Sequence, residues 1–157
     1  MYLNCHTFFS LKYGIMSPED LLHEAQQKGI ASLAVTDINN TSGVLDFCRI
    51  ASKQNIKPVI GIDFRNGAQQ QFVALAKNIE GFRELNDFLS HHLHTEEKFP
   101  ARAPKFQQAY VIYPLANILE LQAAQPRILK TLRNNEFIGI APHQVKSLHL
   151  GELKNYM

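Results

Sequence analysis

No tryptophan occurs among the 157 residues, and only two cysteines, Cys5 and Cys48. They have no C-x-x-C spacing and sit beside apolar neighbours, which excludes a disulfide framework and a zinc knuckle and reads as two reduced core thiols. Long apolar runs are missing too. Nothing approaches the roughly 20 residues of a membrane span, and the start has no basic region followed by an apolar run, so a soluble, cytoplasmic protein without a membrane partner is expected. Internal repeats and low-complexity tracts are absent, so nothing points to a solenoid. A strong charge of one sign is also lacking. The formal net charge is +2 and the pI about 8.6, too mild to announce a nucleic-acid-binding surface. From Lys98 onward eight Lys or Arg face three Asp or Glu, a balance of +5, against −3 for the residues before it. These basic residues are scattered rather than ranged along one periodic face, so a solvated surface is read in preference to a DNA track.

What is present suits one compact α/β domain. Hydrophobic residues make up 45% of the chain, enough for a core at this length. Tyr2 to Cys5 reads as a first strand. Ser17-Pro18-Glu19-Asp20 then opens a helix, with Ser17 to cap free amides, Pro18 at the first helical position and two acids at the positive end of the dipole. Gly29 ends it. Ser32 to Thr36 is a second strand, Val44 to Gln54 a helix, and Lys57 to Phe64 a third strand, which completes two βαβ units. Asn66-Gly67 is a hairpin signal that returns Phe72 to Ala76 as an antiparallel strand. Phe82, Leu85 and Leu89 give helical spacing up to about His94, and Pro100 and Pro104 lie in a polar loop. A strand at Ala109 to Tyr113, a helix from Leu115 to about Ala124 and a short strand at Phe137 to Ile140 complete the reading.

Chemistry in such folds gathers where strands end, because the loops after them converge on one crevice. Three polar groups fall at such places: Asn4-Cys5-His6-Thr7 after the first strand, Thr36-Asp37 after the second and Asp63 after the third. Together they predict an imidazole and two carboxylates around one pocket, a ligand set suited to a divalent metal. Alternation along the first strand turns Asn4 and His6 to one face and Cys5 to the other, so Cys5 is assigned to packing. His91, His92 and His94 fall near a helix end without a paired Asp or Cys and are read as solvated side chains that favour the negative dipole.

Leu3-Asn4-Cys5-His6-Thr7 with Ser10 and Gly14, then Ala34-Val35-Thr36-Asp37, then Lys57 to Phe64, then Ala74-Leu75-Ala76-Lys77-Asn78 with Gly81, resemble in order and spacing the PHP domain that begins the alpha subunit of bacterial DNA polymerase III. The resemblance is closest over about the first 90 residues. It implies a PHP-type distorted, TIM-like β/α barrel of mixed parallel and antiparallel strands, here incomplete, as a single domain over 1–157 or the amino-terminal part of one. Working members carry H-x-H in the first motif, an acid before the next glycine, Asp-His in the second motif, an acid after the third strand and a His leading into the fourth. Those places here hold Asn4 with His6, Tyr13, Asp37 with Ile38, Asp63 and Gln71. By this correspondence His6, Asp37 and Asp63 are vestigial metal ligands of low expected occupancy, while Asn4, Tyr13, Ile38 and Gln71 are degenerate positions. Neutral amides bind metals feebly, a tyrosine phenol is largely protonated at neutral pH, and Ile38 has no donor atom.

A final acid-x-His motif of the family is not found, and the polymerase palm is expected beyond this segment. The resemblance therefore implies a parent DNA-directed DNA polymerase that uses magnesium and reaches DNA, with this segment holding no cofactor and no catalytic residue. Its implied role is structural, or the docking of a proofreading exonuclease onto the alpha subunit. An unfinished barrel is expected to expose apolar faces and to self-associate when isolated. The rival readings are an active metal-dependent PHP phosphoesterase, acting through His6, Asp37 and Asp63, and a free-standing binding module.

Overall fold

The computed structural model describes residues 1–115 and 132–145. Helix α1 spans Pro18–Gln27, and Ser17 closes a capping box on it: its Oγ accepts the Asp20 amide at 3.0 Å while the Asp20 carboxylate accepts the Ser17 amide at 3.3 Å. This satisfies two donors that a helix start leaves free. Gly29 then takes φ +65°, a conformation open to glycine, and the chain enters β1 (Ser32–Val35). Next come helix α2 (Val44–Lys53), β2 (Lys57–Asn66), β3 (Gln69–Ala76), α3 (Ile79–Thr95), β4 (Ala109–Pro114), β5 (Glu136–Gly139) and the short α4 (Pro142–Val145).

The five strands form one sheet in chain order. β1 and β2 run parallel, β2 and β3 antiparallel through the Asn66-Gly67 turn with Gly67 at φ +62°, β3 and β4 antiparallel, and β4 and β5 parallel. The expected strand at Tyr2 to Cys5 is reduced to a single parallel bridge from Tyr2 to Leu33. Its pairing with β1 is real but interrupted: Tyr2 and Cys5 carbonyls accept the Ala34 and Thr36 amides, while the Cys5 amide donates to Thr36 Oγ1 at 3.1 Å. A side-chain acceptor there replaces the next rung of the ladder. The helix expected from Leu115 to about Ala124 lies, beyond Leu115 itself, outside the described residues.

Two hydrophobic cores lie side by side on one face of the sheet, since Ile60 packs on one and Ile62 and Phe64 belong to the other, while Ala34, Val73 and Leu75 cluster on the opposite face. Helices α1 and α2 cover β1 through Leu22, Ala25, Leu33, Val35, Phe47 and Ala51. Cys5 and Cys48 pack at its margin, and burial pushes both thiols up. Helix α3 covers the other core, where Phe64 meets Phe72, Phe88 and Phe99 at centroid separations of 4.9, 5.3 and 5.2 Å, each pair worth about 0.5–1.5 kcal/mol beyond area burial. The loop after α3 is fastened by Asn66, whose side chain donates to the Phe99 carbonyl and accepts its amide, both at 2.9 Å. Buried Glu136 secures the far edge: it accepts from Tyr113 Oη at 3.0 Å and the Arg133 amide at 2.8 Å, and pairs with Arg102 and Arg133. Among the described residues no helix is long and apolar enough to cross a membrane.

Candidate metal centre

Strand alternation builds the site. Ile62 and Phe64 turn to the aromatic core under α3, so Asp63 between them turns to the opposite face, where it is fully buried. A β-bulge comes immediately after: Phe64 pairs with Phe72, but Arg65 pairs with Gln70, which leaves Gln71 as the extra residue. Such a bulge re-aims the neighbouring side chains. Gln70, rather than the expected position Gln71, stands opposite Arg65, and its Nε2 donates to Asp63 Oδ2 at 2.8 Å. Gln71 is buried and donates to the Gln69 carbonyl at 3.2 Å.

Three further N–H groups converge on the same oxygen. His6 Nε2 lies at 3.0 Å, Arg65 Nε at 3.1 Å and Arg65 Nη2 at 2.8 Å. Burial alone would raise the Asp63 carboxyl, but the bonds from His6, Arg65 and Gln70 and the Arg65 charge outweigh it and hold the group below the usual aspartate range. The other oxygen, Oδ1, is buried with no hydrogen-bond partner among the described residues. Arg65 is held as firmly as it holds. Tyr13 lies under its guanidinium, 4.7 Å from carbon to ring centroid, an attractive arrangement for a cation. Asn39, which adopts φ +47°, clamps its backbone by accepting the Arg65 amide at 2.9 Å and donating to its carbonyl at 2.8 Å.

Asp37 is buried beside these groups but serves a different purpose. Its Oδ1 accepts the Thr7 amide at 2.7 Å and Ser10 Oγ at 2.6 Å, and its Oδ2 accepts Thr7 Oγ1 at 2.7 Å. Both oxygens thus fasten the loop after the first segment. Backbone bonds tie it to Asp63: the Asp63 amide donates to the Asp37 carbonyl at 3.3 Å, and Ile38 bridges to Asp63. The Ile38 amide donates to Ser10 Oγ at 2.9 Å. Asn4 Oδ1 accepts from Thr36 Oγ1 at 2.7 Å, so its amide reinforces the strand edge.

The structure therefore joins His6 to Asp63 and engages the Asp37 carboxylate elsewhere. Among the described residues no three of His, Cys, Asp and Glu are grouped to hold a metal ion. A divalent metal of the kind implied by the PHP resemblance does not fit this donor set. The Arg65 guanidinium stands against Asp63 Oδ2, which four N–H groups already share, so a divalent ion would meet a positive charge where it needs a ligand. The other histidines lie apart: His92 Nδ1 bonds the Phe88 carbonyl and its ring stacks on Phe99 at 4.9 Å, and His91 lies 3.8 Å from Glu97. Sequence reasoning missed Arg65, Gln70 and Asn39. The only trace of them was their position, since Arg65 and Gln70 flank the Asn66-Gly67 turn and Asn39 lies just after the Asp37 motif.

Residues 3–135 match the PHP domain family. The DNA polymerase III subunit alpha of Buchnera aphidicola is 34% identical over 91 residues, 54% of this chain and 8% of that protein. An error-prone DNA polymerase of Symbiobacterium thermophilum is 32% identical over 90 residues, 57% of this chain and 8% of that protein. The chain thus spans about 8% of the length of these curated relatives. Among solved structures, a Bifidobacterium adolescentis protein classed as a metal-dependent phosphoesterase superposes with a TM-score of 0.55 at 12% identity, covering 99% of this chain and 83% of its own. At that identity the likeness concerns the fold alone. With the family matched across most of its length and the sheet built as the resemblance implies, this chain belongs to the PHP domain family.

Proposed function

We propose that the chain is the amino-terminal PHP segment of a bacterial replicative DNA polymerase of the DNA polymerase III alpha type, acting in the cytoplasm as a catalytically inactive structural domain. Its partners are the remainder of the alpha subunit and, docked on the same scaffold, a proofreading exonuclease. Nucleotidyl transfer, magnesium and contact with DNA belong to the rest of that enzyme. The observation that carries the reading is the engagement of Asp37: three hydrogen bonds from Thr7 and Ser10 reach its two oxygens, so a carboxylate at a metal-ligand position secures a loop instead. With Ile38, Tyr13 and Asn4 offering no replacement, metal-activated water has no group to generate it.

A contact role draws support from the sheet. Tyr110, Phe137 and Ile140 of β4, β5 and the residue after it are exposed, beside Met1 and Leu3, and together they line an apolar cleft across β3, β4 and β5. Apolar surface of this kind marks an interface, and the remainder of the alpha subunit is its occupant in this reading. In isolation the segment should self-associate through it.

Elemental analysis of the dialysed protein is expected to find zinc, manganese and iron well below one ion per chain. Two or three ions per chain, with a phosphatase activity that the His6→Ala variant loses, would establish an active phosphoesterase and overturn the proposal. Binding to primed DNA should be weak and vanish in moderate salt, because scattered lysines neutralise few phosphates; tight, salt-resistant binding would mark a nucleic-acid-binding module instead.

A further inference from the structure

Around Asp63 a buried charge, its counter-charge and the residues that hold both stand together. Four N–H donors from three side chains converge on a single carboxylate oxygen, at 2.8 to 3.1 Å. The Arg65 side chain is only 13% exposed, and its partner carboxylate is fully buried. Such a cluster surrounds the oxygen as a coordination shell surrounds an ion, with the roles reversed. Here the anion is central, and the positive charge is supplied by the protein.

We propose that Arg65 is a resident cation that has taken over the place and the charge of a divalent metal on Asp63, and that its guanidinium bars metal ions from Asp63 and His6. This rests on the inactive-site reading and gives it a cause within the chain. The charges agree. With Asp37 engaged by hydroxyl and amide donors, Asp63 is the other buried carboxylate of the site, and the charge of one guanidinium balances its own. A divalent ion arriving there would meet an uncompensated positive charge at contact distance, in a site of low dielectric where that repulsion is strong. Arginine suits the task because it stays charged and brings two N–H donors of fixed geometry to the one oxygen, Oδ2.

The residues around Arg65 are those that such a replacement requires. Tyr13, in the place of a family acid, offers a ring face to the guanidinium, where an acid would have served a metal. Asn39 fixes the backbone on both sides of the Arg65 α-carbon, so the side chain leaves the strand at one angle. The bulge that pairs Arg65 with Gln70 adds a fourth N–H donor beside it. A neutral or mobile residue at 65 would leave Asp63 with His6 and Gln70 alone, a buried carboxylate without its guanidinium.

Thermal melts of the 157-residue chain, in chelator and with manganese chloride, test the assignment on four proteins: wild type, Arg65→Gln, Arg65→Lys and Arg65→Gln with Asp63→Asn. Arg65→Gln should melt lower than wild type in chelator. Manganese at about a hundredfold over its dissociation constant should raise its midpoint by about 5–10 °C. Wild type and Arg65→Lys, which keep a positive charge, should not respond, nor should the double variant, which has lost the carboxylate. Should Arg65→Gln fail to fold in chelator, refolding with manganese is the expected rescue. An Arg65→Gln protein that keeps wild-type stability, or that manganese neither stabilises nor rescues, overturns the assignment; so does an equal response from Arg65→Lys. Stoichiometric metal in the wild type would instead sink the inactive-site reading on which the assignment rests.

Discussion

Asp37→Ala is the change that most directly separates a structural aspartate from a metal ligand. The carboxylate is 2% exposed and receives three short hydrogen bonds, from the Thr7 amide at 2.7 Å, Thr7 Oγ1 at 2.7 Å and Ser10 Oγ at 2.6 Å. Bonds to an ionised acceptor contribute about 1.5–3 kcal/mol each. The three do not add fully, because the two hydroxyls can turn to other acceptors whereas the Thr7 amide cannot. A loss of about 4 kcal/mol is therefore expected, a fall in Tm of about 8–16 °C for a domain of this size. Asn in the same place keeps one acceptor oxygen and should cost about half as much. Urea unfolding monitored by circular dichroism measures both, with the wild type run in parallel in EDTA. A structural role for the Asp37 carboxylate is refuted if Asp37→Ala lies within about 1 kcal/mol of wild type. It is equally refuted if EDTA lowers the wild type to the level of the variant, since the carboxylate would then be holding a metal.

Particular contacts elsewhere in the fold set three more outcomes. Gly81→Ala lies within α3, where alanine ordinarily gains about 1 kcal/mol over glycine; here its Cβ would fall 1.9 Å from the Gln108 carbonyl oxygen, so a loss of about 2–3 kcal/mol is expected by chemical denaturation. Glu136→Gln should cost about 2 kcal/mol, below the 3–5 of a fully buried pair, because the side chains of Arg102 and Arg133 are each about a third exposed and can turn to solvent; proteolysis of the loop over 98–106 should quicken with it. The folded Asp63 carboxyl lies below the ordinary aspartate value, so its contribution is present above about pH 4 and is lost as the pH falls through the folded value. Melts of wild type and Asp63→Asn should accordingly differ most near neutrality and converge in acid; a gap that stays constant down to the acid limit would remove Asp63 as the source.

Much of the fold was legible in one dimension because local chemistry decided it. Ser17, Pro18 and Asp20 mark a helix start by groups that act within four residues of one another, and Asn66-Gly67 marks a turn by backbone conformations that few other pairs tolerate. Alternation along Lys57 to Phe64 was enough to set Asp63 against Ile62 and Phe64. The motif order likewise led to the PHP family and to His6 as a neighbour of Asp63. The weak first strand was not legible, since a threonine hydroxyl 31 positions away takes the Cys5 amide from the ladder. The centre of the site was hidden for the same reason. Which glutamine faces Asp63 depends on a one-residue bulge in the pairing of β2 with β3, and a shift of one position exchanges the faces of a strand. Whether Asp37 binds a metal or a loop depends on where Thr7 and Ser10 arrive after a turn. Residue types and spacing determined that a carboxylate would be buried at 63; only the tertiary structure decided its counter-charge, because that required a guanidinium on the same strand, a ring from the loop at Tyr13 and an amide at Asn39 to meet in space.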